Sequence, residues 1–203
     1  MSDIRSHLTA KQWKTLFSFE RPFFLYDFEQ IRSNLIFIRS FLEGLIDQKC
    51  SIYFSTKSNP NNFLLKSLIP RTDGFDTSSE IEMRMMRNLG VEACRLSLSG
   101  PGKPDEALDF AIGQKLGCIH VDSISEYEAL GTLQGKRQAQ GEVGVSLRLQ
   151  LDSDETKLGL SFEEARSILK KAGKKEFCGL HAYLVGNPFP ARLFLFTLIC
   201  SAD

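Results

Sequence analysis

The chain alternates short apolar runs, rich in β-branched and aromatic residues, with segments whose apolar positions recur at helical spacing. Seven runs are predicted to be strands, because turn-forming or polar residues bound each of them. They cover residues 22–26, 51–57, 72–76, 95–98, 118–122, 143–149 and 177–183. From the second run onward, successive strands begin about 22 to 34 residues apart, which is typical of βα units in a parallel α/β fold.

Helix starts between these strands are marked by capping boxes, in which a hydroxyl or carboxylate residue precedes Glu or Gln by three positions. The pattern occurs at Asp27 with Gln30, at Ser79 with Glu82 and at Ser161 with Glu164. Helices are predicted over 27–45, 63–69, 79–90, 104–116, 123–130 and 161–173, with Gly90 stopping the third and Gly117 closing the fourth. Ser123 or Ser125 is expected to cap the fifth.

The predicted fold class is α/β. Six βα units suit either an open doubly wound sheet or most of a TIM-type (β/α)8 barrel. The doubly wound alternative is weakened because no Gly-x-Gly-x-x-Gly opens a helix after a strand. We expect an arm over residues 1–21, a barrel domain over 22–187 and an apolar tail over 188–203, which has neither strand alternation nor a polar helix face.

Charge and cysteine usage restrict the possible partners. Lys+Arg and Asp+Glu both number 25, so neither a nucleic-acid footprint nor a basic membrane patch is expected. The five cysteines lack Cys-x-x-Cys spacing and are interpreted as buried, reduced thiols, with no metal site. No signal peptide is visible, and the longest apolar run, 193–200, is far below the ~20 residues of a membrane span. We therefore expect a cytoplasmic protein.

Polar residues stand at the carboxyl ends of the predicted strands, which converge on one face of a barrel and carry its active site. They are Lys57, Asp76, Lys103, Asp122 with Ser123, Arg148, and His181 with Tyr183. The Lys57 amine can form a Schiff base when it is desolvated or has an electrostatic partner. The alternative interpretation is a solvated loop lysine.

Structural alternatives remain for the other positions. Asp76 could only cap a turn, Glu82 serves the Ser79 capping box in any case, and His181 could be a hydrogen-bonded core histidine. Arg148 fits a purely structural interpretation least well. A guanidinium within an apolar strand needs an anion or a carboxylate if it points inward.

Six motifs in order resemble the fold-type III pyridoxal-phosphate decarboxylases, the ornithine/diaminopimelate/arginine decarboxylase superfamily. Residues 54–60 resemble Y-[AS]-x-K-[AS]-N-P, and 74–82 resemble G-F-D-x-x-S-x-x-E. The other four are 99–103 (G-x-x-K), 121–123 (V-D-S), 147–159 (L-R…K-F-G) and 179–183 (G-[IL]-H-x-H). The resemblance extends over about residues 22–187 and implies an alanine racemase-like barrel that begins with the Lys57 strand.

The resemblance implies that Lys57 holds pyridoxal 5'-phosphate as a Schiff base, with Asp76, Glu82 and Arg148 forming the polar network around it. His181 and Tyr183 belong to the motif beside the cofactor ring. The implied reaction is decarboxylation of an amino-acid substrate, with the cofactor delocalising the resulting carbanion. The family also implies a homodimer. Tyr183 departs from the family, in which a second histidine stacks on the cofactor; a phenol can stack but cannot carry an imidazole's charge.

Further parts of the family pattern have no counterpart in the 203 residues: a glycine-rich phosphate loop, a carboxylate for the pyridine nitrogen and a C-terminal β-domain. We therefore expect a truncated, incomplete barrel of about six βα units. Two functions follow from the resemblance. The first is a decarboxylase of diaminopimelate or ornithine type. The second is an inactive remnant that acts as an interaction or regulatory partner of a full-length decarboxylase.

Overall fold

The computed structural model describes residues 8–45, 50–137, 143–151, 158–172 and 177–183. Two compact units, Met1–Cys50 and Ser51–Asp203, divide the chain. The expected tail over 188–203 lies outside the described residues, as does Lys157 of the fifth motif. None of the helices in the described ranges is long and apolar enough to cross a membrane.

The described residues of the first unit form two helices, α1 (Ala10–Phe17) and α2 (Phe28–Leu45). Thr9 and Gln12 form a reciprocal capping box at α1, and the Asp27 carboxylate accepts from the Gln30 N–H (2.9 Å) at α2. The strand predicted over 22–26 is wrong, because residues 22–27 form neither helix nor strand. Pro22 has no N–H to donate, and no described strand pairs with this segment.

In the second unit, the described residues form a sheet of six parallel strands, and a helix follows each strand except the last. The strands are β1 (Tyr53–Ser55), β2 (Gly74–Thr77), β3 (Leu96–Leu98), β4 (Cys118–Val121), β5 (Gly144–Leu149) and β6 (Phe177–Ala182). The helices are α3 (Asn62–Leu68), α4 (Glu80–Asn88), α5 (Asp105–Gln114), α6 (Ile124–Arg137) and α7 (Phe162–Lys171).

The strand order distinguishes the two folds that the sequence left open. The strands lie side by side in chain order, from β1 to β6, and every neighbouring pair is parallel. A doubly wound sheet reverses its order at a switch point, whereas a barrel adds each strand next to the previous one. The fold is therefore α/β of the TIM-barrel type, with five βα units and a sixth strand in the described part of the chain.

Alternation along the strands separates an apolar face from a polar one. In β4, Cys118 and His120 alternate with Ile119 and Val121, and all four are buried. The apolar face and the inner sides of the helices form the core, whose largest fully buried members include Phe75, Leu65, Leu68, Met83, Met86, Leu96, Leu98, Leu108 and Leu147. The other face carries serines, histidines and charged side chains that bond one another, as described below.

Two details at the ends of elements differ from the prediction. Strand β1 ends at Ser55, and Lys57 lies in the single 3-10 turn that follows it, Thr56–Ser58. Helix α5 is closed by Lys115, whose φ of 57° is left-handed, rather than by Gly117. Gly117 serves a different purpose, because a Cβ there would lie 2.2 Å from the backbone oxygen of Cys94.

Of the four cysteines in the described part of the chain, only Cys118 is buried as expected. Cys50 and Cys178 are half-buried and Cys94, in the turn before β3, is exposed. The Cys118 and Cys178 sulfurs lie 3.4 Å apart beside Gly144, whose missing side chain leaves room for them.

The close approach at Gly117 leads to a test of the fold. Gly117→Ala should lower the free energy of unfolding by about 1–3 kcal/mol, because the new methyl group meets rigid backbone. The matched control is Gly131→Ala in α6, where nothing lies within 4 Å of the added carbon; it should raise stability by about 0.5–1 kcal/mol. Urea unfolding of both variants measures the difference, and equal stabilities would contradict this packing.

Candidate active site

The predicted polar residues stand at the carboxyl ends of neighbouring strands. Lys57 follows β1, Asp76 lies in β2 opposite Ser55, and Arg148 in β5 pairs with His181 in β6. Because all six strands are parallel, these positions meet at one end of the sheet, where barrel enzymes carry their reacting groups.

The turn that carries Lys57 is anchored through the buried residue beside it. The Thr56 hydroxyl bonds the Asp76 carbonyl (3.0 Å) and lies within hydrogen-bond distance of the Glu82 carboxylate. Lys57 itself is exposed. Its positive charge acts on Asp76 and on His181, so the amine lies within electrostatic reach of both. The turn therefore fixes the backbone of Lys57 and leaves its amine accessible.

Asp76 is a buried carboxylate bonded to the next strand. Ser97 Oγ donates to its Oδ1 (2.8 Å) and Ser99 Oγ donates to its Oδ2 (2.7 Å). Burial raises the pKa of Asp76, and the two hydroxyls and the charge of Lys57 offset only part of that rise. Asp76 is thus a carboxyl group whose charge state responds to a cation beside it.

Glu82 has only half of the predicted capping-box geometry. Its N–H donates to Ser79 Oγ (3.3 Å), but its carboxylate bonds Ser78, accepting from the N–H (2.8 Å) and the hydroxyl (3.0 Å). The same carboxylate lies against the Thr56 hydroxyl. Glu82 therefore joins the first turn of α4 to the turn that carries Lys57. At α7, by contrast, Ser161 and Glu164 form the complete capping box as predicted.

Arg148 has a carboxylate partner, as its position in an apolar strand requires. Its Nη1 donates to Asp122 Oδ1 (2.7 Å), and the other Asp122 oxygen accepts from Lys103 Nζ (2.9 Å). Lys103 also bonds Glu126 Oε2 (3.0 Å). Sequence reasoning placed Lys103 and Asp122 at strand ends but missed Glu126. The available signal was Ser123 three residues earlier, whose hydroxyl accepts from the Glu126 N–H (3.2 Å).

Two histidines lie together on the polar face. The rings of His120 and His181 are 4.4 Å apart, and His120 Nδ1 lies within hydrogen-bond distance of Ser146 Oγ. Burial lowers the pKa of His120 well below its usual value. The pKa of His181 is lowered to about 4, mainly by burial and next by the positive charge of Arg148. Both rings are therefore neutral at pH 7. Sequence reasoning missed His120, although its alternation with Ile119 and Val121 marks the polar face.

Some polar atoms in this part of the site have no protein partner. Among the described residues, Arg148 Nε, His181 Nδ1 and His120 Nε2 are buried without a hydrogen bond. The Arg148 guanidinium lies 5.6 Å from the centre of the Tyr183 ring, a cation–π arrangement. No group of three His, Cys, Asp or Glu side chains in the described ranges is arranged to hold a metal ion. The free donor of Arg148 is available to an acceptor on a ligand.

The neutral histidines make stability depend on pH. Between pH 6.5 and about 4 the unfolded chain binds protons that folded His181 and His120 do not, so acidification favours unfolding. Each histidine should contribute about 1.4 kcal/mol per pH unit in this window. The raised pKa of Asp76 acts in the opposite direction and offsets part of the slope.

Urea unfolding of the ligand-free protein at pH 7.5 and at pH 5 measures this loss of stability. His181→Gln should reduce the pH dependence of the free energy of unfolding by the contribution of one histidine, about 1.4 kcal/mol per pH unit. Equal slopes for the variant and the parent would contradict the burial of a neutral His181.

Comparison with known proteins agrees with this arrangement. Residues 30–182 match the family described as pyridoxal-dependent decarboxylase, pyridoxal binding domain. A diaminopimelate decarboxylase of Campylobacter jejuni is 24% identical over 179 residues, covering 82% of this chain and 44% of the relative. One of Zymomonas mobilis is 28% identical over 165 residues, covering 74% of this chain and 38% of the relative. The chain thus spans less than half the length of these curated relatives.

A solved structure gives the same fold. The diaminopimelate decarboxylase of Helicobacter pylori, complexed with L-lysine, superimposes with a TM-score of 0.72 at 22% identity, over 84% of this chain and 46% of that one. The family match covers most of the chain and contains all the candidate residues except Tyr183, which follows it directly. The chain therefore belongs to the pyridoxal-dependent decarboxylases, through their pyridoxal-binding barrel domain, and its cofactor is pyridoxal phosphate.

Proposed function

We propose that the chain binds pyridoxal phosphate covalently through Lys57 and serves the decarboxylation of an amino acid of the diaminopimelate or ornithine type. The observation that carries the proposal is the accessible Lys57 amine at the end of β1, within electrostatic reach of buried Asp76 on the adjacent strand. An amine with a carboxyl partner of responsive charge is suited to forming a bond with an aldehyde.

The residues present fit the cofactor. Arg148 is buried and keeps one Nε–H donor without a partner in the described part of the chain, so a phenolate or phosphate oxygen can accept from it. Tyr183 offers an aromatic face beside the same guanidinium. Lys57, Asp76, Arg148, His181 and Tyr183 are the residues that would hold the cofactor.

The chemistry is divided between cofactor and protein. When bound, pyridoxal phosphate supplies an electron sink for the electron pair that a departing carboxylate leaves behind. The chain's own residues orient Lys57 and balance the charges around it. The positive charge of Lys57 acts on buried Asp76, and Glu82 fixes the turn that carries Lys57 through Thr56. Neutral His181 adds no second positive charge beside Arg148.

The substrate class follows from the relatives. Those of Campylobacter jejuni and Zymomonas mobilis are diaminopimelate decarboxylases, and L-lysine, bound in the Helicobacter pylori enzyme, is diaminopimelate without one carboxyl group. We propose a diamino acid of this kind as the substrate and a homodimer as the assembly. The free thiols of Cys94, Cys118 and Cys178 are compatible with a reducing compartment, and we propose the cytoplasm.

Reductive labelling tests the covalent anchor. Protein incubated with pyridoxal phosphate and then reduced with borohydride should carry one pyridoxyl group on Lys57, because this residue is exposed and its charge acts on buried Asp76. Peptide mass spectrometry locates the label. Lys57→Ala should abolish it, while the control Lys66→Ala, which removes an exposed lysine of α3, should retain it. A label spread over surface lysines in both variants would refute the assignment.

Release of labelled CO2 tests the reaction. The whole chain, supplied with pyridoxal phosphate and carboxyl-labelled diaminopimelate, should release CO2, whereas Lys57→Ala should release only the background of free cofactor. Lysine and ornithine, tested in parallel, rank the substrate class. Full labelling of Lys57 without CO2 from any of these amino acids would exclude decarboxylation by this chain and leave cofactor binding as its function.

A further inference from the structure

Two glutamates in different βα units have the same environment. Glu82 in α4 and Glu126 in α6 each donate their own N–H to the hydroxyl of the serine directly before the helix, at 3.3 and 3.2 Å. Each carboxylate then accepts the backbone N–H four residues earlier, that of Ser78 at 2.8 Å and that of Asp122 at 2.7 Å. A capping box would instead bond the N–H three residues earlier, as Glu164 does at α7.

Each of the two carboxylates also binds a side chain from the preceding βα connection. Glu82 contacts the Thr56 hydroxyl beside Lys57, and Glu126 accepts from Lys103 Nζ, at 3.1 Å to Oε1 and 3.0 Å to Oε2. Each glutamate therefore ties the end of its own strand to the end of the previous one. The residue that Glu126 binds at the end of its own strand is Asp122, whose carboxylate accepts from Arg148.

The second tie is made of buried charges. The side chains of Lys103, Asp122, Glu126 and Arg148 are 2%, 6%, 5% and 6% exposed. Two cations and two carboxylates balance, as burial of charge requires. Asp122 is shared, with one oxygen for Lys103 and the other for Arg148. Glu126 gives Lys103 a second carboxylate, so Asp122 does not have to neutralise both cations alone.

We propose that Glu126 is a positioning residue of the active site: through Lys103 and the Asp122 backbone, it keeps the Asp122 carboxylate available to Arg148. The inference rests on the proposed function only in that Arg148 is taken to face the cofactor. The orientation of Arg148 is measurable without cofactor, so the two proposals can fail separately.

The decisive variant is Glu126→Gln, with Glu164→Gln as the matched control. Glutamine has the same shape but no charge, and its NH2 group cannot accept a hydrogen bond. If its oxygen keeps the place of Oε2, which accepts from both the Asp122 N–H and Lys103 Nζ, an NH2 donor faces the Lys103 ammonium and N–H from which Oε1 accepts. Glu164→Gln makes the same change in a capping box that is exposed and bonds no other strand.

Two measurements on the cofactor-free chain report the geometry. Hydrogen exchange of the Asp122 amide should become at least about tenfold faster in Glu126→Gln, because its charged acceptor is lost. The guanidinium NMR signals of Arg148, assigned with Arg148→Lys, should be resolved in the parent and merged in Glu126→Gln as the Asp122 pair loosens. Glu164→Gln should leave both unchanged. Unchanged Arg148 signals in Glu126→Gln, or equal effects of the two variants, would overturn the proposal.

A double variant separates positioning from general destabilisation. Lys103→Met with Glu126→Gln removes one cation and one carboxylate together, leaving Asp122 to Arg148 alone and a glutamine oxygen for the Asp122 N–H. Resolved Arg148 signals should return, and pyridoxal phosphate affinity, reduced about tenfold or more in Glu126→Gln, should recover toward the parent value. Failure of this rescue would overturn the proposal, because the loss of the Arg148 signals would then result from general destabilisation of the fold.

A parent chain that does not label Lys57 would refute the proposed function, while the Arg148 signals would still decide the role of Glu126.

Discussion

The structure depends on one constraint: the second face of its parallel sheet is buried and polar, so every charge on it needs a partner from a neighbouring strand. Asp122 meets this need for Arg148 and Lys103 at once, and Ser97 and Ser99 meet it for Asp76. These bonds run across the sheet, whereas backbone pairing alone would tolerate any side chains there. Register is therefore specified by polar contacts on one face as well as by apolar packing on the other.

This constraint explains what the sequence could predict. The period of βα units and the polar residues at strand ends are local features, so the six parallel strands and the position of Lys57 were predictable. Glu126 and His120 were missed because their partners, Lys103 and His181, come from other βα units, and only the strand order brings them together. The strand predicted over 22–26 was wrong because a β-prone run becomes a strand only when another strand pairs with it, and the local sequence does not show whether one does.

The parts of the site divide according to the strength of their attachment. Arg148 is buried in a network in which each member bonds at least one other, and its guanidinium is bonded to Asp122. Lys57 is held through its backbone turn and keeps its side chain free. Such a division suits a site in which one group must reach a reacting atom while another supplies a fixed charge.

The same fixed charge bears on Tyr183, where the sequence resembles the G-[IL]-H-x-H motif without its second histidine. The Arg148 guanidinium lies 5.6 Å from the Tyr183 ring and also lowers the pKa of neighbouring His181. An imidazole at position 183 would face the same guanidinium, and its protonated form would be disfavoured there as it is at His181. The negative face of a phenol ring, by contrast, attracts the guanidinium. Tyrosine at position 183 therefore provides an aromatic ring, and it lacks only a positive charge that the adjacent Arg148 would disfavour.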